Sequence, residues 1–404
     1  MAGLVLVIGG LLGACSSPGR APTACDQVST DLRLFVAGDA IITQPWSHVE
    51  EPAFLELVGE IRRADVAVVN LETLIHEFKG YPQSVVYGGG SYMAARPIIA
   101  KELAWAGFDM VGHANNHTYD YGAIGVLENL HHVRQAGLVL AGSGEDLQRA
   151  RAPAYFRSST GTVALVALAS SFAPHNRASR SRPDLHGQPG LNPLATSEVR
   201  ESRWRPWSSS KRVIVDPRDL EGNLAAIREA AAHADIVVLS VHAHRHESWL
   251  VQFAHQAIDA GVDVFIGHGP HSVRGVEIYR CRPIFYGLGD FVFQNEQIEK
   301  FPADVYERYR LGDDATPEDA RNAIPRFSPF PSRREVWEGI AATVDFENGA
   351  LARVRLIPVD LSFGNPVPII ADVLTKSREY ETEIDHWESE NIALIKIKRD
   401  ATRF

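Results

Sequence analysis

Three tripeptides constrain the fold more than any other feature of the chain. Ala106-Gly107-Phe108, Ala136-Gly137-Leu138 and Ala260-Gly261-Val262 each end an amphipathic segment on a glycine and restart at once with an apolar run. A glycine there supplies the left-handed cap that stops a helix, and the run that follows has the length of a buried strand. The same alternation extends outward. Strands are predicted over 32–37, 65–69, 108–112, 139–141, 163–169, 212–215, 236–241 and 262–266, and helices over 49–62, 94–106, 124–136, 220–233 and 250–260. Strands separated in most places by helices are the pattern of an α/β protein. Beyond Gly269 the pattern changes to hairpins, 273–280 with 283–286 and 340–346 with 352–358, expected to add antiparallel strands to the second sheet of a sandwich. Two long interruptions, 170–211 and 294–338, have the length of functional covers or disordered insertions.

The net charge of −10 argues against a broad nucleic-acid-binding surface and against simple adhesion to anionic lipid. Residues 3–14 are apolar but too short to span a bilayer, and they end in Leu12-Gly13-Ala14-Cys15-Ser16-Ser17. Small residues before a cysteine resemble a bacterial lipoprotein signal, with Cys15 as the lipid anchor; an ordinary cleaved signal peptide is the alternative, since a basic leading region is missing. Both readings put the protein outside the cytoplasm, and the lipoprotein reading makes it a membrane-anchored component of the cell envelope. Residues 15–31 read as a tether. Cys25 and Cys281 could pair in an oxidising compartment, but one sits in the tether and the other beside a strand, so no disulfide is expected. No Cys-x-x-Cys spacing exists, which disfavours a thiolate metal site.

Five polar clusters fall at or just after predicted strand ends: Gly38-Asp39; Asn70-Leu71-Glu72; Asn115-Asn116-His117 with Asp120; His242, His244, His246 and Glu247; and Gly267-His268-Gly269-Pro270-His271. Singly, each has an ordinary reading: Asp39 suits a turn, Asn70 and Glu72 suit a solvated strand end, and one of three alternating histidines suits packing. Together they form a set of carboxylate, amide and imidazole donors without thiolate, suited to borderline-hard divalent ions such as Mn, Fe or Zn. A carboxylate among several imidazoles can bridge two ions about 3.5–4 Å apart.

In this order the clusters resemble the capsule-synthesis CapA family, also described as poly-γ-glutamate synthesis proteins, itself similar to the calcineurin-like metallophosphoesterases. The resemblance runs from roughly 32 to 361. It rests on Gly38-Asp39, Asn70-Leu71-Glu72, Ala114-Asn115-Asn116-His117-Thr118-Tyr119-Asp120-Tyr121-Gly122, Gly190-Leu191-Asn192-Pro193-Leu194 and Gly267-His268-Gly269-Pro270-His271. Tyr286-Gly287-Leu288-Gly289-Asp290-Phe291-Val292-Phe293 also matches, with Asp290 in place of the usual Asn.

The resemblance implies a four-layer αββα sandwich with mixed sheets over 32–375, and a C-terminal extension, 376–404, packed on it. It implies one or two divalent ions held by Asp39, Glu72, Asn116, His242, His268 and His271, with His117 and Asp120 catalytic. Asn70, Asn115, His244 and Glu247 become substrate-binding candidates. Two positions depart from the pattern. Ile41 stands where related phosphoesterases place a histidine, and the usual His-Trp-Gly-x-Glu appears as His242-Ala243-His244-Arg245-His246, with Glu247 one residue late. The implied chemistry is metal-assisted hydrolysis of a phosphoester or amide. The implied role lies in making, exporting or retaining an anionic extracellular polymer such as capsule or poly-γ-glutamate, alongside a membrane synthase complex and without nucleic acid. The alternative is a non-catalytic polymer-binding or assembly component with a structural or degenerate metal site. Under either reading the insertion bearing Arg177, Arg180 and Arg182 is a contact for the polymer, or a solvated loop.

Overall fold

The computed structural model describes residues 31–83, 92–202, 209–245, 248–324, 333–348, 350–361, 376–377, 384–389 and 392–395. Two sheets face each other and helices cover both outer faces, an αββα sandwich. In the first sheet β1 (Leu32–Ile41), β2 (Val66–Leu71), β3 (Met110–Gly112) and β4 (Val139–Ala141) run parallel in that order. The connections carry α1 (Pro52–Arg62), α2 (Ile98–Ala106) and α3 (Gly122–Gln135). The second sheet contains β5 (Ala154–Arg157), β6 (Thr162–Ala169), β7 (Ile236–His242), β8 (Val264–His268), β9 (Val276–Tyr279) and β10 (Arg282–Phe285). Its order is β9-β10-β8-β7-β6-β5, with α4 (Pro217–His233) and α5 (Ser248–Ala260) in its connections.

Period-two alternation sorts the core into three layers. Leu34, Val36, Val68 and Met110 meet Leu165, Ala167, Val238 and Ile266 between the sheets. Phe35, Val69 and Val111 turn outward onto Ile99, Leu103, Val126 and Leu130 of the first helical layer. Val166, Leu239 and Phe265 turn outward onto Ile227, Phe253 and Ala257 of the second. Each fully buried side chain of this kind contributes about 1.5–3 kcal/mol, so strand phase is strongly specified.

Gly107, Gly137 and Gly261 all have positive φ at the helix ends, as their tripeptides predict. The predicted helix over 94–106 starts only at Ile98, after Pro97, and Ala94–Ala95 instead pairs with Leu74–Ile75. Residues 212–215 are strand, but they belong to a separate hairpin, Thr196–Ser202 with Ser209–Val215, outside both sheets.

The expectation for the late hairpins needs correction. The β9–β10 hairpin joins the second sheet as expected. β12 (Glu338–Glu347) and β13 (Ala350–Asp360) join the first sheet instead, with β12 antiparallel to β1. The physical reason lies at β11 (Asp290–Phe293), which leaves the second sheet and pairs in parallel with the end of β1, carrying the chain to the first sheet's edge. Beyond β13, Ile392–Ile395 and then Ile384–Ser389 extend the same edge. Cys281, in the turn between β9 and β10, is disulfide-bonded, contrary to the expectation of no disulfide. Among the described residues no helix is long and apolar enough to cross a membrane. Cys15 and Glu247 lie outside the described residues.

Candidate metal centre

The parallel strands of both sheets end at one rim, and open α/β sheets present ligands from such carboxyl ends. Strand register brings the polar clusters to a common level: Asp39 lies opposite Asn70 and Asp290, and His242 opposite His268. A bulge aims Asp39. Phe35 and Ala37 face the helices, and so do Ala40 and Ile42, so the phase of β1 slips by one residue around Gly38-Asp39. The register shifts there in both parallel pairings. A bulge of this kind re-aims a side chain at a sheet edge, and Asp39 therefore leaves the helical face. Gly38 is required by close approach, because a Cβ on it would lie 1.9 Å from the Gly289 carbonyl oxygen. That contact lets Asp39 N donate to Gly289 O at 3.0 Å and seats Asp290 beside Asp39.

Two groups of donor atoms result, each compact enough to hold one ion: Asp39 with His271 and Asp290, and Glu72 with His242 and His244. Glu72, a member of the second group, also approaches the first. Its Oε1 is 3.8 Å from His271 Nε2, 3.9 Å from His242 Nε2 and 4.0 Å from His117 Nε2. The side chain is 0% exposed and neither carboxylate oxygen has a hydrogen-bond partner among the described residues. A buried carboxylate without donors costs several kcal/mol unless a cation neutralises it. The residues fit a divalent ion on this ground, with Glu72 placed to be shared by two.

Other contacts hold the donors in place. Asn70 Nδ2 and Gly269 N donate to the two oxygens of Asp39 at 2.7 and 2.9 Å. His271 Nδ1 lies 2.8 Å from Asp290 Oδ1, and His271 takes φ of +49°, an uncommon backbone for a residue other than glycine that is typical of functional loops. Gly269, at φ +99°, leaves room for the rings of His242 and His244, since a Cβ would stand 3.0 Å from each.

Protonation states reflect the crowding of acids. Burial pushes the Glu72 carboxyl well above its usual range, the charge of Asp39 adds to this, and His271 opposes it. Asp290 is pushed up to about 6, chiefly by burial and partly offset by His271. Burial favours neutral His271, yet Asp290, Glu72 and Asp39 together raise it to about 10. Asp39 is likewise opposed by burial, but the close approach and charge of His268, with the charges of His271 and His242, hold it well below the carboxylate range. Without a metal, protons serve as the counter-charges of the centre.

The Asn115–Tyr121 loop carries the remaining chemistry. Asn115 is consumed locally: Nδ2 donates to Leu71 O at 2.8 Å, which ties the loop to the residue before Glu72, and Oδ1 accepts from His117 N at 3.1 Å. His117 Nδ1 contacts Asp120 Oδ2 at 2.7 Å, and that oxygen also accepts from Met93 N at 2.8 Å. The ring is thereby fixed with Nε2 turned toward Glu72.

The structure thus brings Asp39, Asn70, Glu72, His117, His242, His244, His268 and His271 together. Asn70 holds Asp39, while His268 contacts Asp39 Oδ1 at 3.1 Å and stands outside both donor groups. Asn116 has a buried Oδ1 without a partner among the described residues, and its carbonyl accepts from Asn176 at 3.1 Å. Sequence reasoning did not name Asp290 as a donor; the signal was the acid in Gly289-Asp290-Phe291. Ile41 is buried in an apolar cluster with Leu74, Tyr121 and Phe293, so that position offers no ligand, and Asp290 completes the first group instead.

The chain matches the family described as bacterial capsule synthesis protein PGA_cap over residues 33–295. It is 30% identical to an uncharacterized protein of Sinorhizobium fredii, with 82% of each chain covered. It is 26% identical to the capsule biosynthesis protein CapA of Bacillus anthracis, over 58% of this chain and 51% of that one. Identity to the PGA biosynthesis protein CapA of Bacillus subtilis is also 26%, over 57% of this chain and 54% of that one. The chain therefore spans about half the length of these two CapA proteins, whereas it covers most of the Sinorhizobium relative. It belongs to the PGA_cap family.

Proposed function

We propose that this PGA_cap protein is a two-metal hydrolase acting on a phosphoester or amide during the synthesis, trimming or attachment of an anionic extracellular polymer of the capsule or polyglutamate type. One observation carries the reading: Glu72, fully buried and without a donor among the described residues, belongs to one three-residue donor group and lies 3.8 Å from His271 of the other, with the His117–Asp120 dyad aimed at it. Bound divalent ions would supply Lewis acidity for the substrate oxygen and lower the pKa of an attacking water.

The chain's own residues supply the rest. Asp39, His271 and Asp290 would hold one ion, His242 and His244 the other, with Glu72 shared. Asn70 and Gly269 N fix the rotamer of Asp39. Asp120, itself clamped by Met93 N, keeps Nδ1 of His117 as the donating nitrogen. A proton carried on Nε2 then faces the centre, where it can pass to a leaving group, a contribution of about 10²–10⁴ in rate. The capsule and polyglutamate context is supported by the family and by the two CapA relatives. We place the protein at the cell envelope, anchored through lipidated Cys15, beside a membrane synthase.

The test is metal analysis of purified protein together with hydrolysis of bis(4-nitrophenyl) phosphate and of a labelled polyglutamate. Metal-dependent turnover that falls at least 100-fold in His117→Ala, with metal content unchanged, supports the reading. Full metal content with no turnover above the His117→Ala level refutes it in favour of a polymer-binding component. Anchoring is tested separately: Cys15→Ser should move the protein from membranes to the soluble fraction, and unchanged fractionation contradicts it.

A further inference from the structure

The segment that follows β6 connects the metal centre to a group of arginines that the proposed chemistry does not use. Ser170 N donates to His242 O at 2.9 Å and His244 N donates to Ser171 Oγ at 3.0 Å, so the segment starts against one donor group. It then reaches the Asn115–Tyr121 loop. The ring of His175 meets Tyr119 edge-on at 6.0 Å, and Asn176 Nδ2 bonds to Asn116 O, next to His117. The next residue is Arg177, and Arg180 follows three residues later.

The charges there do not balance. Arg177 Nη2 and Arg151 Nη2 both reach the same oxygen of buried Asp219, at 3.1 and 3.3 Å. The other oxygen of Asp219 accepts from Ala195 N at 3.2 Å, so this carboxylate is saturated. Arg180 makes no ion pair among the described residues, is exposed, and lies close enough to Arg151 for their charges to repel. Two guanidinium groups thus share the Asp219 carboxylate, and Arg180 stands near them without an ion pair among the described residues, on a chain whose net charge is −10. Arg180 follows Asn176 by four residues, so it lies at most about 14 Å from it along the chain. That bound keeps the exposed cation of Arg180, with half-buried Arg177 between, within a few repeat units of the centre along a linear polymer. Guanidinium pairs with carboxylate in a planar fork and is weakly hydrated, so it suits a carboxylate-bearing chain.

We infer that Arg177 and Arg180 form a subsite beyond the metal centre that binds carboxylates of a polyanionic substrate chain, holding the polymer while one bond lies at the centre. This rests on the proposed function for the identity of the polymer, but binding is measured without turnover and so fails or stands separately.

The test uses the full chain and fluorescein-labelled polyglutamate in fluorescence anisotropy at low ionic strength, with metal present. Arg180→Glu should weaken binding at least tenfold and flatten its salt dependence, whereas Lys101→Glu, the same charge change at an exposed residue of α2, should change it less than twofold. Arg180→Ala should fall between wild type and Arg180→Glu. Equal losses in Arg180→Glu and Lys101→Glu would reduce the effect to net charge and overturn the subsite. Unchanged affinity in Arg180→Glu, or no binding of polyglutamate by wild type, would overturn it as well. If Arg180→Glu loses binding but wild type hydrolyses nothing, the subsite stands and the hydrolase reading falls.

Discussion

Replacing Glu72 with Gln should make the metal-free protein more stable and the metal-loaded protein less so. In metal-free protein the carboxylate is fully buried, neither oxygen has a donor, and Asp39 and Asp290 both disfavour its charge. An unsatisfied buried acceptor costs about 1–3 kcal/mol, and more when charged. Gln keeps the volume and is always neutral, so it removes the cost of holding this buried carboxyl in its protonated form. Glu72→Gln in EDTA is therefore expected to gain about 1–3 kcal/mol, or about 2–6 °C in Tm at roughly 2 °C per kcal/mol for a chain of this size. Added metal reverses the order. At a free concentration of 1,000 times Kd, wild type gains about 4.1 kcal/mol by linkage, and a variant lacking the shared carboxylate gains almost nothing. Thermal melts of both proteins, with EDTA and with a Mn²⁺ series, read the two arms together. A variant less stable than wild type in EDTA would refute the reasoning, because it would make Glu72 a satisfied structural acid.

Three further outcomes follow from the same geometry. Loading with metal should release protons at pH 8: His271, raised to about 10, is protonated there and must lose its proton to act as a donor, so affinity should fall as pH drops, and further as Asp290 protonates near 6. Calorimetry in buffers of different ionisation heat checks this, and a buffer-independent heat contradicts it. Gly38→Ala should cost more than about 2 kcal/mol and weaken metal binding, since its Cβ would meet a backbone oxygen at 1.9 Å and push Asp39 from Asp290; urea unfolding and metal titration measure both. The buried neutral histidines should pull metal-free stability down in mild acid, against the raised acids Glu72 and Asp290, which pull it up. Buried His113 is pushed down to about 3 and His76 to about 4, chiefly by burial, so their neutral forms are the folded ones. Folded values below the unfolded value of about 6.5 mean stability that is intact above pH 6.5 and lost as pH falls toward 4, at up to about 1.4 kcal/mol per unit for each group. Wild type should therefore lose more urea stability between pH 7 and 4.5 than His113→Gln does, and equal losses would contradict the buried neutral assignment.

Local signals carried much of the fold. Gly107, Gly137 and Gly261 marked helix ends because a left-handed cap is a one-residue requirement, visible without tertiary context. The placement of the β12–β13 hairpin was not legible, since hairpin sequence fixes the pairing of its two strands but not which sheet edge they reach. That choice was made by β11 crossing to β1, through a contact between Gly38 and Gly289 far apart in sequence. The site divides along the same line. Asp39, Glu72, His242 and His271 stood out because each ends a strand or opens a tight loop. Asp290 did not, because its meaning depends on lying beside Asp39 and His271. His244 was read as a substrate contact, and only the geometry of the Gly269 turn places its Nε2 3.2 Å from that of His242.

The most direct test of the central claim is a crystal structure of the Mn²⁺-loaded protein with anomalous scattering measured above the manganese edge. The account predicts two peaks about 3.5–4 Å apart, one by Asp39, His271 and Asp290 and one by His242 and His244, with Glu72 touching both. A protein that binds no metal, or ions located away from Glu72, would contradict it.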